Sequence, residues 1–446
     1  MISTNVSADP YPVYPLGMAT VSAALAQDGH DVRQFDLLAQ DGSDERLKEV
    51  ISGFDPHFVG ISLRNIDTVD SCDPEDRWYL SADLRLMKVV RETTKAPVIV
   101  GGPAFSIMPE EILGYLGADY GVVGEGEHVI CDLIDGLTEG KATPRITMSL
   151  HQMGSRNAAP PDPLWEPHLV RFYAEQSGMV NMLTKRGCPH RCAYCAYSSI
   201  EGHTVRYRAP EDVADHVQHL KESYGIDTLY FTDSVFNDGK GHYLEIAETL
   251  VRRKLNVKWT AFFRPSAIDT NGWDLLKRSG LYAIELGSDA ASDATLSGLN
   301  KGFTFDDIYN FNEAAVKARV PCAHYVMFGG PGETQRSIEE GLSNLSLLRN
   351  CMVMAFSGIR ILPATALHAR AIEEGVIAEE TSLLKPLYYF SPHINRENMN
   401  NAIKRAFQGH MDRVFPPAQG ARMMKMMNSL GYRGLLWDRL VTFDRN

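Results

Sequence analysis

Long apolar runs are missing from this 446-residue chain: no stretch approaches the ~20 residues that a membrane-spanning helix requires. The opening MISTNVSADPYPVYPLG has neither a basic start nor an apolar core, so a secretory signal is not expected. Positive charge is short as well. Lys and Arg number 44 against 56 Asp and Glu, a net charge of −12. A broad basic surface for nucleic acid is thereby excluded, while a local basic pocket is not. Cysteine is scarce: of seven residues, three fall within eight positions and the rest are scattered. That is no disulfide framework. A reducing, cytoplasmic setting with one thiolate-rich site is the expectation. The remaining composition, 44% hydrophobic and 22% charged, is that of a globular chain long enough for two or three domains.

The first third alternates strand and helix signals. GMATVSAALAQDGHDV (17–32) reads as a helix and FVGISL (58–63) as a short buried strand. APVIVGG (96–102) and ADYGVVGEGE (118–127) repeat the strand pattern, each followed by a helical segment. Repeated β-α units with continuously apolar strands imply a parallel, doubly wound, Rossmann-like sheet over residues 1–145. Ligands of such sheets sit beyond the carboxyl ends of the strands. The loops there are SLRNID, GGPAFS and GEGEH. Residues 146–180, with the proline-rich RNAAPPDPLWEP, read as a linker. A second α/β run over 181–370 has six strand candidates: VNMLTKRG, TLYFTDSVF, KWTAFFRP, AIELGSDA, CAHYVMFGG and MAFSGIRILP. Six repeats give a partial (β/α)6 barrel with its site at the C-terminal strand ends. Residues 371–446 read as a helical C-terminal region that packs and covers.

The strongest motif is KRGCPHRCAYCAY (185–197), in which Cys188, Cys192 and Cys195 have the spacing C-x3-C-x2-C. Three thiolates on one tight loop can ligate three irons of a [4Fe–4S] cluster and leave the fourth open. Zinc wants four protein ligands, usually in two separated pairs. His190 is sterically poor as a fourth ligand because it lies between the first two cysteines.

This loop resembles that of the radical S-adenosylmethionine (radical SAM) enzymes, and the resemblance continues in order through 181–377. YFTDSVFND resembles the strand that meets the methionine amino group, which implies Asp233 and Ser234. IELGSDAASDATLSGLNKGFT resembles the segment that meets ribose and methionine carboxylate, which implies Glu285 and Ser288. VMFGGPGET resembles the strand beside the adenine, which implies Gly329 and Gly330. Tyr194 is a candidate wall of the cluster pocket, and Arg264, like Arg360, is a strand-end candidate for a carboxylate.

The first domain is similar to the cobalamin-binding domain of the B12-dependent radical SAM class. The matching stretches imply Tyr14, Leu16 and Gly17, then Ser62, Arg64 and Asn65. They also imply Gly101, Gly102, Phe105 and Ser106, then Gly124, Glu125, Gly126 and Glu127. The combination resembles a subgroup often labelled as lipid-biosynthesis B12-binding radical SAM proteins. The implied cofactors are a [4Fe–4S] cluster, S-adenosylmethionine and cobalamin. The implied activity is methyl transfer from methylcobalamin to an unactivated carbon by way of a 5'-deoxyadenosyl radical. Its alternatives are a cobalamin-dependent rearrangement, cyclisation or oxidation, and a non-catalytic sensor. The implied partners are a small-molecule or acyl-type substrate and an external flavodoxin- or ferredoxin-like electron donor.

One string points to cobalamin misleadingly. DPHFVG (55–60) matches the D-x-H-x-x-G pattern of cobalt-ligating histidines. Here it precedes the strand FVGISL, so His57 belongs at the N-terminal edge, away from the ligand-facing loops.

Overall fold

The computed structural model describes residues 1–8, 11–73, 77–149 and 161–443. The first sheet contains β1 (Ile2–Ser3), β2 (Phe35–Asp36), β3 (Val59–Ser62), β4 (Val98–Gly101), β5 (Tyr120–Val123) and β6 (Ile146–Met148). All pairings are parallel, in the order β2-β1-β3-β4-β5-β6. Val59, Ile61, Val98 and Val100 are buried, as expected of strands covered on both faces. Helices start where capping chemistry allows. Ser43 accepts the Arg46 N–H ahead of Asp44–Phe54, and Pro109 opens Pro109–Leu116. Packing demands a glycine at Gly121, where a Cβ would lie 2.1 Å from the Phe105 ring.

Two boundaries differ from expectation. Ile146–Met148 is the sixth strand of this sheet, not linker. Pro167–Ser177 is a helix that buries Leu169, Val170 and Tyr173. Residues 156–160 of the proline-rich stretch before it lie outside the described residues.

The second sheet contains β7 (Val180–Met182), β10 (Thr228–Phe231), β11 (Lys258–Phe263), β12 (Leu281–Asp289), β13 (Cys322–Phe328), β14 (Cys351–Ser357) and β17 (Arg413–Val414). All are parallel, in the order β17-β14-β13-β12-β11-β10-β7. Two antiparallel pairs flank it: β8 (Lys185–Arg186) with β9 (Arg206–Tyr207), and β15 (Ile359–Arg360) with β16 (Tyr388–Tyr389). Alternate residues serve two cores. Phe231, Phe263, Ile284 and Val326 pack with the helices, whereas Tyr230, Ala283, Ala323 and Met354 form an inner core. The barrel is a partial one, with β7 and β17 as its edges.

The C-terminal region does more than cover. It supplies the seventh strand, and Leu435, Leu436 and Trp437 are buried in the barrel's inner core. Tyr11 enters the same core from the N-terminal segment.

Candidate active site

The three cysteines lie on the loop bracketed by β8 and β9, whose Arg186 and Arg206 are register partners. Gly187 opens the loop with φ +90°, and a Cβ there would lie 2.2 Å from the Thr204 carbonyl oxygen. Only glycine is tolerated at so close an approach. Glu201, just past the loop, accepts the Gly187 N–H at 3.0 Å and the Ser234 hydroxyl at 3.3 Å. The loop also docks on the barrel, with Ala193 N–H donating to the Leu299 carbonyl at 2.9 Å.

Cys188, Cys192 and Cys195 are unpaired and half-buried. Burial pushes the Cys195 thiol up to about 11, and the neighbouring sulfurs add to the rise; Cys188 shifts the same way. Three thiolates therefore repel one another here unless a cationic centre binds them. Two groups of three His/Cys/Asp/Glu ligand atoms gather within 4.8 Å among the described residues, and neither contains these cysteines. A mononuclear zinc, with Zn–S bonds of about 2.3 Å, would draw its sulfurs closer than that. The donor set fits an iron–sulfur cluster. His190 is held down to about 4 by burial and by the Arg264 and Lys301 charges, so it is neutral.

Around the loop lies a polar shell that the motif did not reveal. Lys301 Nζ is ion-paired with Asp289, and the Tyr194 hydroxyl donates to the same carboxylate oxygen. Arg264 donates to the Lys301 carbonyl oxygen and stacks 4.6 Å from the Phe303 ring centroid. Lys301 and Arg264 both lie within the electrostatic reach of Cys192. Asp289, Lys301 and Glu201 were not singled out by sequence, because no spacing links them to the cysteines.

Several residues implied by resemblance have hydrogen-bond partners within the scaffold. Asp233 is buried and accepts the Thr184 N–H at 2.7 Å, the Thr184 hydroxyl and the Lys185 N–H. Ser288 faces the helical layer, where its hydroxyl meets His324 Nδ1 at 2.9 Å. Gly329 and Gly330 donate their N–H groups to Glu333, so neither is open to a ligand. Glu285 lies deep in the inner core and is fully buried. Its Oε1 accepts from Tyr325 at 2.8 Å, Tyr11 at 3.1 Å and Trp437 at 3.4 Å, and its Oε2 accepts from Tyr230. Ser234, Arg264 and Tyr194 lie around the cysteine loop.

The first sheet presents its C-terminal edge to the loop. A cavity of about 530 Å³ lies between Ser106, Ile107 and Val123 on one side and Ala196, Ser198, Ser199 and His203 on the other. Arg64 and Asn65 are exposed at the end of β3, and Arg64 lies within electrostatic reach of Tyr197 beyond the cluster loop. This interdomain space and these side chains fit a corrinoid. Ser62 is half-buried at the end of β3. Gly101 and Gly102 follow β4, where Ser106 donates to the Gly102 carbonyl and accepts the Gly124 N–H, both at 2.9 Å. Leu16 lines a separate cavity of about 440 Å³, and Gly17 is exposed at the start of the same helix.

Four of the implied corrinoid residues have partners within the protein. Phe105 is fully buried against Gly121. Tyr14 is buried against Trp165 and Tyr173, with ring centroids 4.9 and 5.5 Å away. Glu125 and Glu127 are ion-paired with Arg206 and Arg186 of the barrel; Gly126 lies between them. Arg360 is likewise structural, in a buried pair with Asp67 at 2.8 Å. His57 is exposed just ahead of β3.

Residues 2–134 match the B12 binding domain, and residues 182–343 match the Radical SAM superfamily. The chain is a cobalamin-dependent radical SAM enzyme. The enzyme is 27% identical to a tryptophan 2-C-methyltransferase of Streptomyces laurentii, across 81% of this chain and 72% of that one. It is 23% identical to a cytidylyl-2-hydroxyethylphosphonate methyltransferase of Streptomyces wedmorensis, across 85% and 82%. Among solved structures, the enzyme shares the fold of the methyltransferase TsrM from Kitasatospora setae, solved with cobalamin and a [4Fe–4S] cluster. The TM-score is 0.85 at 22% identity, over 98% of this chain and 96% of TsrM. OxsB, solved with aqua-cobalamin and S-adenosylmethionine, matches with a TM-score of 0.71 at 15% identity, over 96% and 70%. The domain pair carries the family's three cofactors: cobalamin, S-adenosylmethionine and the [4Fe–4S] cluster. No helix among the described residues is long and apolar enough to cross a membrane.

Proposed function

We propose that this enzyme transfers a methyl group to a carbon of a small-molecule substrate. The observation that carries the reading is the cavity between the corrinoid-facing edge of the first sheet and Ala196, Ser198, Ser199 and His203, which directly follow the loop of Cys188, Cys192 and Cys195. When bound, cobalamin supplies the methyl carrier, and S-adenosylmethionine at the cluster supplies the hydrogen-abstracting radical. The chain's own residues hold the cluster, shield the site from water and align the two domains. Tyr194, Asp289, Lys301 and Arg264 form the polar rim beside the cluster loop.

An apolar or aromatic substrate suits the rings that pack on the barrel's inner core. Phe262, Tyr325 and Phe356 are half-buried with ring centroids 6.2 and 6.5 Å apart in sequence, on the barrel's inner face. The carboxylate below them, Glu285, is enclosed by its four donors and offers no partner to a charged ligand. This also suits an acyl chain. A one-electron donor of flavodoxin or ferredoxin type completes the cycle.

Anaerobic reconstitution with cluster and cobalamin, followed by product analysis, tests the reading. Methyl transfer yields S-adenosylhomocysteine, 5'-deoxyadenosine and a product heavier by one methylene. 5'-Deoxyadenosine with a turned-over substrate and no S-adenosylhomocysteine would instead establish a rearrangement, cyclisation or oxidation. A protein that cleaves no S-adenosylmethionine with any substrate would overturn the reading.

A further inference from the structure

The loop after β5 reaches across the domain boundary to the hairpin that holds the cluster loop. Glu127 is paired with Arg186, two residues ahead of Cys188, and Glu125 is paired with Arg206 on the opposing strand. Arg186 also lies 3.5 Å from Glu125, and His128 Nε2 lies 3.4 Å from the other Glu125 oxygen. The four carboxylate and guanidinium side chains are only 3–15% exposed.

Each end of this joint is rigidly tied. Glu125 donates its N–H to the Ser149 hydroxyl at 3.2 Å, just past β6. Arg186 and Arg206 face each other across the β8–β9 register, and Gly187 packs directly on Thr204. The joint therefore links the strand ends of the corrinoid-facing sheet to both stems of the cluster loop. Buried ion pairs are weak evidence for stability, because desolvation offsets most of their attraction. Their best-attested use is to fix register. Register matters here: misplacing reacting groups by about 1 Å lowers a rate on the order of a hundredfold.

We propose that Glu125, Glu127, Arg186 and Arg206 are positioning residues that set the corrinoid-bearing sheet against the cluster loop, so that both cofactors face one substrate. The proposal rests on the methyl-transfer reading for its product assay, and a second measurement is independent of that reading. Charge-removed variants Glu127→Gln and Arg206→Met retain iron and cobalamin. They cleave S-adenosylmethionine within about twofold of the parent but form at least tenfold less methylated product per 5'-deoxyadenosine. The exchange Glu127→Arg with Arg186→Glu recovers part of that coupling.

The independent measurement is the magnetic coupling between cob(II)alamin and the reduced cluster, read by pulsed EPR on the reconstituted holoenzyme. The parent gives one narrow distance, and the variants give a shifted or broadened distribution. An unchanged distribution in both variants overturns the proposal whatever the parent's reaction proves to be. So does loss of cluster and cobalamin together, which would make the joint merely structural. A narrow distance in the parent that broadens in the variants, with no S-adenosylhomocysteine formed, would uphold the joint and sink methyl transfer.

Discussion

Asp289 and Lys301 form a buried ion pair beside the cluster loop, and the hydroxyl of Tyr194, a residue of that loop, donates to the same carboxylate oxygen. Burial alone would lower the Lys301 ammonium, but Asp289 and then Cys192 hold it above its ordinary range. Removing the cation strands a buried carboxylate. Lys301→Met is expected to destabilise by about 3–5 kcal/mol. It should also lower iron retention, since the loop loses its anchor. Thermal melts and iron content check this. A variant with unchanged melting and full iron would show the pair to be dispensable.

Five of the seven cysteines divide into two chemical classes. Cys188→Ala, Cys192→Ala or Cys195→Ala should each abolish the visible absorbance of a reconstituted cluster. Cys322 and Cys351 face each other across β13 and β14, both buried. Burial pushes the Cys351 thiol up to about 11, so it stays protonated at neutral pH. Cys322→Ala and Cys351→Ala are therefore expected to keep parental iron and absorbance. Loss of the cluster in either would assign these thiols a ligand role.

Glu333 gives a pH signature. Burial pushes its carboxyl from 4.5 up to about 7, opposed by the Gly329 and Gly330 amides and the Thr295 hydroxyl. The folded state thus holds a proton that the unfolded chain has already released, and stability falls as pH rises through that window. The effect is about 3 kcal/mol between pH 4.5 and 7, fully present below the window and lost above it. Glu333→Gln should flatten the melting temperature between pH 5 and pH 8. A variant that keeps the parental slope would place the titration on another group.

Much of this architecture was legible in the sequence, for physical reasons. Strands β3, β4, β5 and β10–β14 are apolar runs between glycine and polar turns, and the cysteine spacing is a local property of one loop. The two-residue strands β1, β2 and β17 carry no periodicity and were invisible. The seventh strand was hidden for the same reason, and the C-terminal region read as a cover because the burial of Trp437 beside Glu285 spans 152 residues. Strand parity explains the rest. Glu285 and Ser288, an odd three residues apart, fall on opposite faces of β12: Glu285 meets Tyr325 in the inner core, whereas Ser288 meets His324 on the helical side. Glu125 and Glu127 looked like ligand residues because they follow a glycine-rich strand end. Their ion-pair partners, Arg206 and Arg186, lie 81 and 59 residues away.

Glu285 sharpens the distinction between site and scaffold. It was expected at the S-adenosylmethionine site, yet its carboxylate is enclosed by Tyr11, Tyr230, Tyr325 and Trp437, which tie the N-terminal segment, two barrel strands and the C-terminal segment together. Burial raises its pKa, and the four donors pull it back. In Glu285→Gln the amide can face Tyr230 only if that hydroxyl turns from donor to acceptor, and the other bonds become neutral rather than charge-assisted. A loss of about 1–3 kcal/mol in stability is expected. Affinity for S-adenosylmethionine should change by less than twofold, because the rim formed by Tyr194, Asp289, Lys301 and Arg264 is untouched. Equilibrium binding and thermal melts on the same preparation separate the two roles. A tenfold loss of affinity at parental stability would return Glu285 to the cofactor site, whereas a lowered melt with intact affinity identifies Glu285 and its four donors as scaffold.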